Sequence, residues 1–216
     1  AALPEVLVIA RVSKTVMPLR VPTGLIMSEQ MVVFASDSYS MQAMLSSSVH
    51  QLWAITYGSG MRNDPRYTPS DVFETFPRPE SNERLDRIGL TLDEERREIM
   101  LRRDLGLTRL YNLVNDPAVQ GDKDVDRMRE VHVEIDEATM DAYGWEDVPL
   151  NHGFNTYRQI DRWTISPTAR AETLDRGGVA SGVERQRRFL GRELEQALFE
   201  DVTLVDATLD HVPGDA

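Results

Sequence analysis

The 216-residue chain has no cysteine. Disulfides, thiolate nucleophiles and cysteine-based zinc sites are excluded together, and a cytoplasmic setting is expected. Lysine is nearly absent, with Lys14 and Lys123 the only two. Neither follows an acid at two residues' distance, so the core of a PD-(D/E)xK nuclease cannot be assembled. His50, His132, His152 and His211 are widely spaced, with no His-x-x-x-His pair for a zinc shell and no EF-hand spacing. Glu94-Glu95 reads as the acidic bias of a helix start and Asp122–Asp126 as a loop, not as a hydrolytic carboxylate pair. No run approaches the roughly 18 apolar residues of a membrane span, so no membrane partner is expected. The opening AALPEVLVIARVSK lacks the basic n-region of a signal peptide. Starting almost directly in a strand, it points to a piece of a longer polypeptide.

Charge of one sign is also scarce. Lys and Arg number 24 against 36 Asp and Glu, a net charge of −12. That argues against a general nucleic-acid binder. The excess is uneven: residues 1–80 hold 6 basic and 7 acidic residues, leaving 18 and 29 for the remainder. Any nucleic-acid contact is therefore expected from the first part, through a local patch, and the isolated chain is expected to bind DNA poorly. At 41% hydrophobic and 28% charged residues, the composition is that of an ordinary globular protein.

Val6–Val12 is near-continuously apolar and β-branched, a strand buried on both faces. Pro18 and Pro22 make Met17–Pro22 extended and confine it to an edge. Leu25–Met27 predicts a brief strand, and Met31–Ala35 another buried one. Ser38 or Ser40 then caps a helix over Met41 to Ile55. Gly58 and Gly60 break the chain into a polar loop carrying Arg62, Asn63 and Arg66. Phe73, Phe76, Pro77 and Pro79 pin the connecting segment onto the helical body. From Ser81 the period becomes helical. Thr91-x-x-Glu94 reads as a capping box for a helix to about Arg103. Leu107–Val114 forms a short helix, and Asp124–Tyr143 the clearest one, ending on Gly144 in the left-handed region. His132 on its apolar stripe reads as a satisfied core histidine. After Trp145 the chain reads as irregular until Ser166-Pro167 starts a helix. Arg176–Gly182 has the composition of a flexible linker. The predicted class is α+β: a small mixed β-sheet domain over 1–80, a mainly α-helical domain over 81–175, and an unassigned linker with C-terminal helix or tail over 176–216.

Five motifs stand in order: Ser47-Ser48-x-His50-x-x-Trp53, Tyr67, Phe76-Pro77-x-Pro79, Leu110-Tyr111-Asn112 and Ala142-Tyr143-Gly144-Trp145. Between Val6 and Arg170 this series resembles the target-recognition and C-terminal helical region of single-chain adenine-specific DNA methyltransferases. These are the MmeI-like and type IIG restriction–modification enzymes and the PglX-like phage-defence methylases. Beyond Arg170 the likeness stops. It implies a parent that methylates adenine N6 with S-adenosylmethionine, with this piece supplying sequence choice on double-stranded DNA. The catalytic methyltransferase domain would lie in the same or a partner chain. Nothing in this sequence supplies that chemistry: there is no Asn/Asp-Pro-Pro-Tyr/Phe loop to hold a flipped base, Asp64-Pro65-Arg66-Tyr67 lacking the second proline. No Gly-x-Gly follows a strand and opens a helix. The cofactor is expected in the parent and none in this chain.

A recognition module needs guanidinium groups for guanine, amides for adenine, and hydroxyl or ammonium donors for phosphate. Arg11, Ser13, Lys14 and Arg20 flank the first strand and suit that work, or are ordinary loop polarity. Ser47, Ser48 and His50 lie at a helix start, where free N–H groups favour a phosphate; the competing reading is capping and packing. Arg62, Asn63 and Arg66 read base edges if their loop reaches a groove, and are otherwise merely exposed. Tyr157, Arg158, Arg162 and Arg170 suit the other half of a clamp. Two further readings stay open: a stand-alone specificity or interaction subunit, and an acidic helical scaffold for a protein partner.

Overall fold

The strand β1, Glu5–Ala10, sits between β2, Leu19–Pro22, and β3, Met31–Phe34, in the order β2-β1-β3. Residues 2–61 and 64–182 are described by the computed structural model. Val6 to Ile9 are each at most 8% exposed, as the unbroken β-branched run requires. Both pairings are antiparallel, with Val8 opposite Leu19 on one side and Val33 on the other, so the sheet is antiparallel rather than mixed. The proline-flanked β2 takes an edge. Leu25–Met27 forms no strand: it lies in the β2–β3 loop with Leu25 and Ile26 exposed.

The helix expected from Met41 to Ile55 is two helices, α1 over Tyr39–Ser46 and α2 over Ser48–Tyr57. Ser38 caps α1, accepting from the Met41 N–H. Ser47 breaks the run with an extended backbone, and its hydroxyl donates to Met44 O while accepting from the His50 N–H. The break strips the last α1 carbonyls of their helical donors, and histidine rings replace them. His50 Nδ1 lies 2.8 Å from Leu45 O, and His132 bonds to Ser46 O. A carbonyl can only accept, so each Nδ1 donates and each Nε2 accepts: from the Tyr67 hydroxyl at 3.0 Å and from the Tyr111 hydroxyl at 2.7 Å. Burial lowers both histidines to about 4, so both rings are neutral.

A short hairpin follows α2: β4, Ser59–Met61, pairs with β5, Asp64–Arg66. The chain then returns through Phe76, 1% exposed and packed edge-on against His50 and Trp53. Pro77 O receives the Tyr143 hydroxyl, which fixes this passage onto the helical part.

Helix α3, Glu83–Arg102, starts earlier than the sequence suggests. Asn82 caps it through the Leu85 N–H, with Glu83 and Asp86 in the first turn. Thr91 is mid-helix and returns its hydroxyl to Arg87 O, so the apparent capping box is not a helix start. At Gly89 α3 meets α1 so closely that a Cβ would stand 2.1 Å from Tyr39 O. Helices α4, Leu107–Val114, and α5, Lys123–Tyr143, lie where expected, α5 ending on Gly144 at φ +69°.

The stretch read as irregular is another hairpin: β6, Gly153–Tyr157, and β7, Ile160–Thr164. Its two-residue turn, Arg158-Gln159, has φ +48° and +63°. Such turns normally advertise themselves through Asn-Gly or Asp-Gly, and here neither is present. Among the described residues a further helix, α6, covers 167–182, with Ser166 capping it through the Ala169 N–H. It includes the supposed linker. The glycines serve contact there: a Cβ on Gly177 would meet the Trp53 ring at 3.1 Å.

Two apolar clusters organise the interior. One joins β1, β3, α1, α2 and Phe76 with Met140, Ile165 and Ala169. The other joins α3, α4 and α5 with Met17 and Ala43. Helices α1 and α5 contribute to both. Among the described residues no helix is long and apolar enough to cross a membrane. The proposed C-terminal helix beyond Glu184 lies outside the described residues.

Candidate nucleic-acid interface

Four of the candidate contacts face inward. Arg20 is 9% exposed. Its guanidinium donates to Gln42 Oε1 and to Asp37 O, lies 3.5 Å from Glu5, and sits 4.1 Å over the Tyr39 ring. It locks β2 onto α1 and has no free edge for a base. Ser47 is fully buried as the link between α1 and α2, and His50 is fully buried on Leu45 O and Tyr67. The N-terminus of α2 does attract an anion, but one from within the chain. The Ser48 N–H donates to Asp136 Oδ1 at 2.6 Å, across 88 residues of sequence. Asp136 is fully buried, and its other oxygen holds His152 Nε2 at 2.8 Å. A carboxylate on α5 thus fills the position that a phosphate would take.

The remaining described candidates converge. The Tyr67 N–H donates to Arg11 O at 2.7 Å, Ser13 N–H to Pro65 O at 3.3 Å, and Val12 bridges Arg66 antiparallel. Segment 11–14 therefore runs beside β5; the register sets Arg66 on the side of Val12 and turns Arg11, opposite the buried Tyr67, to the other side, where its Nε is buried without a partner. Ser13 Oγ accepts from the Thr15 N–H, which shapes the turn carrying Lys14. Lys14 and Arg66 are exposed and Arg11 is half-buried. Arg62 and Asn63, between β4 and β5 in the sequence, lie outside the described residues.

The β6–β7 hairpin joins this edge. Arg162, 2% exposed, donates to Lys14 O and to the carbonyls of Tyr157 and Ile160. Burial disfavours its charge. At the tip, Arg158 donates to Thr56 O at 3.4 Å, and the Tyr157 and Thr56 hydroxyls meet at 2.8 Å. Arg170 of α6 lies 4.4 Å over the Tyr157 ring. Among the described residues, Arg11, Lys14, Arg66, Arg158, Arg162 and Arg170 take part in no ion pair. Lys14, Arg66 and Arg158 are the exposed guanidinium and ammonium groups of this edge, on short, hydrogen-bonded backbone supports that the buried Arg162 ties together. Such groups suit phosphate oxygens and guanine edges.

Sequence reasoning missed the hairpin as an element and Asp136 as the filler of the α2 N-terminus. Alternation in Phe154–Tyr157 and Ile160–Thr164 was the available signal for the first. No local pattern announces a partner 88 residues away. The motif residues Tyr111, Tyr143 and Trp145 are structural: Tyr111 binds His132, and Tyr143 stacks on Trp145 at 4.2 Å. Asn112 is exposed, while Asn115 holds the Trp163 N–H.

No described strand passes through a glycine-rich turn into a helix. The links from β3 to α1, from β5 to α3 and from β7 to α6 contain no glycine.

This is an α+β fold of small antiparallel sheets around a helical core. No protein-family model matches the chain, and no curated protein matches it in sequence. Among solved structures it is similar to the type IIL restriction–modification enzyme MmeI in complex with DNA, with 19% identity and a TM-score of 0.58. The match covers 86% of this chain and 22% of that one, so the chain spans about a fifth of that enzyme. At that identity the likeness defines the fold.

Proposed function

We propose that this chain is the DNA sequence-recognition piece of an adenine-N6 DNA methyltransferase of a restriction–modification or phage-defence system. It selects and holds double-stranded DNA. The catalytic methyltransferase domain, in the same or a partner chain, binds S-adenosylmethionine and modifies the base. The unpaired cations carry the reading, since Lys14 and Arg66 are exposed on adjoining segments with no ion pair among the described residues. Support comes from the fold that 86% of the chain shares with part of an enzyme solved on DNA. Arg66, exposed on β5, is the leading candidate for a base edge. Lys14 and Ser13 suit phosphate. Arg20, Ser47, Ser48 and His50 serve the fold instead.

The test is to express the complete gene in a host free of adenine methylation and map modified adenines at base resolution. The reading expects one short sequence to be modified, and Arg66→Ala to relax one position of it. Absence of any modified adenine, together with no duplex binding by the encoded protein, overturns it.

A further inference from the structure

Resting on that reading, we infer that the β6–β7 hairpin is a second DNA-gripping element, with Arg158 and Arg170 contacting backbone phosphates and Arg162 holding the hairpin in place. The contacts form a closed loop. Arg158 bonds to Thr56 O near the end of α2. Two residues on, Gly58 abuts β5, where a Cβ would stand 3.0 Å from Arg66 O. Arg66 bridges Val12, Lys14 O receives Arg162, and Arg162 returns to the Tyr157 carbonyl. Tyr157 closes the circuit on the Thr56 hydroxyl. Three segments distant in sequence therefore meet at one edge, and the exposed Lys14, Arg66 and Arg158 stand on them, the last drawn from the half of the chain with the larger acidic excess.

The chemistry favours phosphate over base. Arg158 is fixed by a two-residue turn with both φ values positive, and Arg170 is held over an aromatic ring. Both are pre-placed point contacts on rigid supports, which suits a regular backbone. The one described acid on the hairpin, Asp161, accepts the Thr156 hydroxyl and pairs with neither arginine. An acidic protein would also suit such cations, but the fold shared with an enzyme solved on DNA favours the duplex.

Equilibrium binding of the complete encoded protein to duplexes, titrated over salt, tests this. Arg158→Ala and Arg170→Ala should each weaken binding several-fold, equally on preferred and random sequences, and each lower the salt slope by roughly 0.9. Arg158→Glu should weaken it further, with the melting temperature lowered only slightly, since the exposed side chain gives up a single long bond to Thr56 O. If wild type binds and Arg66→Ala weakens it while the hairpin variants match wild type in affinity and slope, the inference is overturned and the recognition reading stands. If wild type binds no duplex, both fall.

Discussion

The helical body and the sheet edge use the same side chain in opposite ways. In the body, most arginines come with a carboxylate, although Arg87 and Arg109 are exposed without an ion pair among the described residues and Arg96 is buried on Pro18 O. Arg127 bonds to Glu95 and Glu134, Arg102 and Arg103 to Asp124 and Asp122, and Arg129 to Asp126 and four carbonyls. At the edge, Lys14, Arg66 and Arg158 stand without an acid among the described residues. The lesson concerns net charge: a total of −12 hides a surface whose cations are left available in one place and mostly neutralised in another. Exposed pairs of the first kind contribute only about 0.2–1 kcal/mol each to stability. Leaving the second kind unpaired sacrifices little folding energy and leaves them open to a polyanion.

The interior beneath both regions should respond most strongly to perturbation. His50 sits in one apolar cluster and His132 borders the other, and burial lowers both from 6.5 to about 4. The unfolded chain takes up protons near 6.5 and the folded one resists. Their contribution is therefore complete above that pH and lost as pH falls towards 4, by at most about 3 kcal/mol per ring. Urea melts at pH 7, 5.5 and 4.5 should show the decline, with a shallower one in His132→Gln. A flat profile would contradict neutral, buried rings. Next in size is Gly89→Ala, whose Cβ would stand 2.1 Å from Tyr39 O. Separating α1 from α3 should cost about 3 kcal/mol in a thermal or urea melt. An unchanged midpoint would mean that the helices do not meet as described.

Two smaller effects divide the regions from each other. Arg66→Ala should leave the melting midpoint in place and remove about 1–3 kcal/mol of base discrimination in competition binding. Arg127→Ala should do the reverse. It should lower stability by less than about 1 kcal/mol and leave duplex affinity unaltered. A DNA defect in Arg127→Ala would erase the distinction between body and edge.

Local signals carried much of this architecture. The β-branched run of β1, the prolines of β2, the stripe and terminal glycine of α5, and Ser166-Pro167 are each read over a few residues, and each element formed there. What stayed hidden depends on distant partners. Ser47 splits a helix because Met44, His50 and, through Ser48, Asp136 satisfy the exposed backbone groups. Thr91 looks like a cap, yet Asn82 already serves as one. Gly177 and Gly178 suggest a linker until Trp53 lies against one and Tyr57 beside the other. The site divides in the same way. Lys14 and Arg66 were legible as donors near strand ends. Arg20 was equally basic and equally near, but Gln42, Asp37 and Tyr39 draw it inward.

Site-specific photo-crosslinking probes the edge directly. A crosslinker replaces Lys14, Arg66 or, on the outer face of α3, Glu98, in the complete encoded protein bound to duplex DNA. Crosslinks to DNA at 14 and 66 and none at 98 are predicted. Equal labelling at all three positions, or labelling at 98 alone, would contradict the assignment of the DNA face.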